Sequence, residues 1–262
     1  MKLQIGCTGW SYEGWSGTFY PKNLEPGRYL KYYAKVFNFT EINSTYYRIP
    51  EQIMTKKWFS DTPKDFRFSA KFPGTITHEH KLKNVKPYVS EFLNSLLPLQ
   101  PKIEALVLQL PPSLSFDDAK PRLEELFSYL PDYYKFPIEG RHESWFTDEA
   151  IRYLSEKNLC LSWNDVAGVD NPCPLTSDYI YLRIIGDRSI SEFGKIVRDR
   201  SESIRSWAGK IKKIEDKVSS IVVAINNHYQ GFAPATANSF RLELGLSELV
   251  WDEKKQRTLG DF

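Results

Sequence analysis

Lys135-Phe-Pro-Ile-Glu-Gly-Arg-His-Glu-Ser-Trp-Phe146 opens like a buried β-strand, yet Glu139 and Arg141 fall on the same side of it. Side chains of a strand alternate between faces with a period of two. The strand therefore sends opposite charges one way and Ile138 the other. Buried charge is costly unless it is paired. These two residues form either a structural ion pair or part of the floor of a site, and the neighbouring strands decide what surrounds them.

Working outward, short apolar runs bounded by Gly, Pro or Asn predict strands at 3–8, 39–44, 66–72, 105–110, 136–142, 159–164, 179–185 and 221–227. Apolar residues at helical spacing lie between most of them. Leu30, Tyr33, Ala34 and Phe37 follow the first strand, Leu123, Leu126, Phe127 and Leu130 the fourth, and Ile204, Trp207, Ala208 and Ile211 the seventh. The sixth link, 165–178, holds Gly168, Pro172 and Pro174 and reads as a loop. With no repeat, low-complexity tract or linker in the chain, this alternation predicts one domain over 1–262. Its fold class is α/β, a single (β/α)₈ TIM-like barrel with a loop in place of the helix after the sixth strand. A doubly wound open sheet is the alternative, but no G-x-G-x-x-G turn follows any strand.

In a barrel, one parity of each strand meets the helices and the other meets the axis. The helix-facing parity is apolar, as in Ile5, Ile42, Phe68, Leu106, Ile138, Leu161, Leu182 and Val223. The other parity places Gln4, Glu41, Asn43, Arg67, Ser69, Lys71, Gln109, Glu139, Arg141, Asn164, Tyr181, Arg183 and Asn226 toward the axis. A barrel held only by packing fills this space with branched aliphatics. Here two carboxylates face the cations Arg67, Lys71, Arg141 and Arg183, which makes the cavity positive and predicts a bound phosphate or carboxylate. Arg141, Arg183 and Lys71 would hold this small anionic ligand, with Asn43 and Asn226 beside them. Trp10, Tyr12 and Trp145 would wall the mouth, where Trp15, Tyr20, Tyr46, Tyr47 and Trp163 also fall. Glu139 is the first candidate for proton transfer, Glu41 the second, and Asp165, at the end of the sixth strand, the third.

Global composition is less specific. With 35 basic and 33 acidic residues the net charge is +2, which gives no overall drive toward nucleic acid or an acidic membrane. Locally, the basic, Gly-containing loop over 187–200 could guide a polyanion, so a non-catalytic nucleic-acid or nucleotide binder is the alternative to an enzyme. Cys7, Cys160 and Cys173 are far apart and suggest neither a disulfide framework nor zinc. His78-Glu79-His80, His142 and His228 lack an H-E-x-x-H pattern, so no metal site and no cofactor are expected. There is no signal-peptide core and no run long enough to span a membrane, and the expected location is the cytoplasm. Oligomeric state is left open.

The chain also resembles the YecE-like DUF72 family. The resemblance runs from Gly6-Cys-Thr-Gly-Trp-Ser-Tyr12 and Trp15-Ser-Gly-Thr-Phe-Tyr-Pro21 through Glu41-Ile-Asn-Ser-Thr-Tyr-Tyr-Arg-Ile-Pro50 and Leu108-Gln-Leu-Pro-Pro-Ser113. It continues through Glu139-Gly-Arg-His-Glu-Ser-Trp145 to Asn226-Asn227 and Gly231-Phe-Ala-Pro234. It implies a TIM-like barrel and supplies no established reaction, so hydrolysis, isomerisation and lyase chemistry all stay open. Two positions depart from the family pattern. Gly140 stands where a bulky apolar residue is usual, and Asn227-His228 stands in place of Asn-Asp.

Overall fold

A computed structural model describes residues 2–251; Met1 and 252–262, the ends of the span assigned to one domain, lie outside the described residues. Eight parallel strands form the centre: β1 Lys2–Thr8, β2 Phe39–Ile42, β3 Arg67–Lys71, β4 Ile103–Gln109, β5 Ile138–Glu139, β6 Trp163–Val166, β7 Tyr179–Gly186 and β8 Ser220–Ile225. They run in the order β5-β4-β3-β2-β1-β8-β7-β6. A bridge between Ile138 and Leu161 closes the ring: Ile138 donates its N–H to the Cys160 carbonyl and accepts one from Ser162. Pro137 has no N–H to give, which keeps regular pairing of β5 short even though its carbonyl accepts from Leu108 N–H. β6 begins later than the predicted 159–164, because 159–162 meets β5 only through the one Ile138–Leu161 bridge before the strand pairs with β7.

Helices cover the outside: α1 Tyr29–Val36, α2 Gln52–Ser60, α3 Lys86–Leu96, α4 Phe116–Phe127, α5 Asp148–Glu156, α6 Ser201–Lys212 and α7 Ala233–Glu243. As the Gly and Pro content of 165–178 predicts, no helix joins β6 to β7. Two of these helices carry side-chain N-caps. Ser115 accepts from Asp118 N–H to cap α4, and Thr147 accepts from Ala150 N–H to cap α5. Among the described residues no helix is long and apolar enough to cross a membrane.

Two apolar bodies result from the strand parity. The large one lies between sheet and helices and holds Ile5, Ile42, Phe68, Leu108, Ile138, Leu182 and Val223 as predicted. The second is inside the barrel and comprises Phe39, Ala105, Val107, Cys160, Tyr179, Tyr181, Val222 and Ala224. The interior thus combines an apolar body with the charged and polar set, rather than being polar throughout. Gly6 is needed where α1 reaches into this wall. A Cβ there would lie 2.0 Å from the Phe39 carbonyl oxygen, and Tyr33 uses the gap to accept from Cys7 N–H and donate to that same carbonyl.

Candidate functional site

The polar half of the interior is organised by Arg183 of β7. Its Nε and Nη2 donate to Glu41 Oε2 and Oε1 at 2.9 and 2.7 Å, and its Nη1 donates to Glu139 Oε2. One guanidinium therefore ties β7 to β2 and β5 across the axis. Arg141 completes the network, with Nε 2.7 Å and Nη2 2.5 Å from Glu139 Oε1. Glu41 accepts further from Tyr181 OH at 2.9 Å, and Tyr181 OH shares a 2.5 Å hydrogen bond with Ser69 Oγ. Both carboxylates are fully buried.

Burial alone would push the Glu139 carboxyl up, but the Arg183 and Arg141 guanidiniums outweigh it and hold it at about 2. A group held so firmly ionised is a poor proton donor near neutrality. The chemically uncommitted group is Lys71, at the end of β3. It is buried, its Nζ donates to Gln109 Oε1 at 2.6 Å, and it sits 4.3 Å from the centre of the Tyr46 ring. Among the described residues Lys71 has no ion pair. Burial, reinforced by the charge of Arg183, brings its ammonium down to about 7. His78 adjoins it. Its Nε2 is 3.5 Å from Gln109 Nε2 and its ring meets Tyr46 edge-on, while burial and the charge of Lys71 lower its affinity for a proton.

Three axis-facing amides, Gln4 through its Oε1 and Asn43 and Asn164 toward the strand ends, have polar atoms that no described residue satisfies. Asn164, level with Arg183 in the β6–β7 register, is buried with neither Oδ1 nor Nδ2 bonded, and Asn43 Oδ1 is buried without a partner. Each unmet group of this kind costs about 1–3 kcal/mol. Asn226 instead uses Oδ1 to accept from His228 N–H.

Several sequence expectations change here. Arg67 leaves the cavity, since its Nη1 donates to the carbonyls of Lys64 and Phe66. Two glutamates then face two arginines, and Lys71 alone sets the surplus charge. Asp165 turns its carboxylate away from the mouth. It follows Asn164 and so points to the helix side, where its Oδ2 accepts from Ser203, Trp207 and Tyr229 at 3.1, 2.7 and 2.9 Å. Trp145 is not on an open wall: it is fully buried, donates to the Leu114 carbonyl, and packs against Gly140. That contact accounts for Gly140, where a Cβ would lie 2.2 Å from the indole. Trp10 packs edge-on against Trp58 and Phe68 on the helix side. Trp15, Tyr20 and Trp163 are buried, while Tyr12 is half-buried with its hydroxyl on the Thr8 carbonyl.

The 187–200 loop is tied down by its own acid. Arg198 and Arg200 both reach Asp187, and Lys195 pairs with Glu192. His228 Nδ1 donates to the Ile190 carbonyl at 2.7 Å, a contact that an Asp at that position could not supply when ionised. His142 caps the turn Glu143–Phe146 by accepting from Ser144 N–H. Among the described residues no group of His, Cys, Asp and Glu is arranged to hold a metal.

Sequence reasoning named Glu41, Glu139, Arg141, Arg183 and Lys71, and the structure brings these five together. It also places Tyr181, Ser69, Gln109, Tyr46 and His78 with them. The first three were legible as axis-facing positions, and Gln109 lies opposite Glu139 in the β4–β5 register.

The family model described as "Protein of unknown function DUF72" matches residues 4–259. The UPF0759 protein YecE of Escherichia coli K12 is 33% identical over 144 residues, 55% of this chain and 50% of that protein, so the match spans half the length of this relative. A DUF72 family protein from Thermotoga maritima MSB8 superposes with a TM-score of 0.81 at 28% identity, covering 94% of this chain and 100% of its own. One from Enterococcus faecalis V583 shares the fold with a TM-score of 0.75 at 20% identity, covering 95% and 98% of the two chains.

Proposed function

Since the chain belongs to the DUF72 family, whose description assigns no reaction, we propose from its own residues that the barrel mouth is a catalytic pocket for a small anionic substrate. The substrate class is a phosphorylated compound with a sugar-like or nucleotide-like body, and the chemistry is proton transfer. Lys71 is the observation that carries this reading: a buried amine on the axis, near its midpoint at neutral pH, beside two fixed arginines. Such a group can accept and return a proton without a large free-energy cost in either state. Glu41 and Glu139 act through Arg183 and Arg141, holding the guanidiniums in place. Arg141 spends Nε and Nη2 on Glu139 and keeps Nη1 free of any described residue, which suits it to grip an anion. Asn164 and Asn43 supply the unmet polar atoms that a polar ligand would satisfy.

Thermal unfolding with inorganic phosphate and a panel of phosphorylated sugars tests the pocket. A ligand at 100 times its Kd stabilises by about 2.7 kcal/mol, a readily measured shift in Tm. Arg141→Gln and Lys71→Met should each shrink that shift. A flat response of the wild-type protein across the panel refutes the pocket. Steeply salt-dependent binding to single-stranded DNA that survives both substitutions would favour the nucleic-acid reading instead.

A further inference from the structure

Buried lysines serve two different purposes in this molecule. Lys102 is a structural one: its Nζ donates to Phe59 O, Thr62 O and Thr62 Oγ1 at 2.7, 2.7 and 2.9 Å, so all three donors are used. Lys135, only half-buried, is held by Glu104 Oε1 at 2.8 Å and Ser220 Oγ at 2.7 Å. Lys71 has the single acceptor Gln109 Oε1, lies against the face of Tyr46, and has no ion pair among the described residues. Its position also differs. It closes β3 at the C-terminal end, axis-facing, where barrel enzymes place reacting groups.

We propose that Lys71 is a nucleophile that forms a Schiff base with a carbonyl compound bearing an anionic group, an aldehyde or ketone carrying a phosphate or carboxylate. This deepens the pocket reading above and rests on it.

Geometry and charge support the step together. One N–H fixed on Gln109 orients the amine and leaves its lone pair free for attack once the nitrogen is neutral. Desolvation with nearby cations is the recognised route to a reactive lysine. An ordinary lysine is only about one part in a thousand neutral at pH 7, whereas burial and Arg183 leave Lys71 substantially neutral there. The same cations attract the anionic end of the substrate, and Arg141 Nη1 is available to bind it.

The reaction balances without a cofactor. The nitrogen lone pair forms the C–N bond while the carbonyl π pair moves to oxygen, which takes a proton. The nitrogen then loses a proton to give a neutral carbinolamine. Protonation of the hydroxyl expels water, and the nitrogen lone pair closes the iminium. Amine, carbonyl compound and one proton thus give iminium and water. His78, next to Gln109 and within the electrostatic reach of Lys71, is the neighbouring group placed to exchange those protons.

Reductive trapping on the full chain tests this. The probes are glyoxylate and glycolaldehyde phosphate, with neutral glycolaldehyde as comparison, each with sodium cyanoborohydride, which reduces the iminium to a stable secondary amine. Intact mass and peptide mapping locate the adduct. The expected result is one adduct on the Lys71 peptide, formed at least about 10-fold faster than on any other lysine. It should form faster with the anionic aldehydes than with glycolaldehyde, be suppressed by inorganic phosphate, and be absent in Lys71→Met. Label spread over surface lysines with Lys71 unmodified overturns the proposal, and because this is read on the wild-type protein it does not depend on the variant folding. Phosphate-induced stabilisation without trapping would leave the pocket standing and remove the Schiff base. Absence of both would remove the pocket reading as well.

Discussion

Replacing Arg183 by Leu removes one side chain from two buried carboxylates at once. Glu41 would lose the donors at 2.9 and 2.7 Å and keep only Tyr181, and Glu139 would keep only Arg141. Breaking a buried ion pair from one side costs about 3–5 kcal/mol, because the charge left behind is neither solvated nor paired. The wild-type protein gives a similar figure. Glu139 lowered from 4.5 to about 2 corresponds to roughly 3 kcal/mol favouring its ionised form in the folded state. The sign fixes the pH dependence. With a depressed folded value, this stabilisation is present above pH 4.5 and is lost as pH falls toward 2. Without Arg183, burial dominates and Glu139 should rise above its unfolded value, so its contribution would instead fade as pH increases. The deficit of Arg183→Leu relative to wild type should therefore be larger at about pH 7.5 than at about pH 4.5 in urea unfolding. Adding Glu139→Gln should recover part of it, since one stranded charge is removed. A deficit below about 1 kcal/mol, or one equal at both pH values, would refute the role of Arg183 as the strut of the interior.

Gly140→Ala should destabilise the protein by about 1–3 kcal/mol, because the new methyl meets the Trp145 indole at 2.2 Å and one of them must move. The Trp145→Leu background should soften that penalty, and a full penalty there would locate the strain elsewhere. Asp165→Asn should cost about 1–3 kcal/mol in urea unfolding, since Ser203, Trp207 and Tyr229 all donate to one carboxylate oxygen. Phosphate-dependent stabilisation and aldehyde trapping at Lys71 should be unchanged in that variant, and loss of either would return Asp165 to the site.

By itself the sequence determined the barrel and which strand faces carry its charged residues. Eight runs with a period of two placed Glu41, Glu139, Arg141, Arg183 and Lys71 on the axis, and the same parity would have put Asp165, one residue beyond Asn164, on the helix side. Strand alternation is a local property of the backbone, so it is legible one segment at a time. Only the tertiary structure decided which charges meet. Whether Arg183 reaches Glu41 and Glu139 depends on the tilt and stagger that set distances across the barrel. Those same distances turn Arg67 away to the carbonyls of Lys64 and Phe66 and bury Trp145 against Gly140. They also leave Lys71 with Gln109 and Tyr46 but without a carboxylate partner. The strand that opens at Phe136 showed from its residues alone that charge enters the interior. The fold decided that this charge is neutralised by the arginines and that a buried lysine two strands away is left without a carboxylate partner.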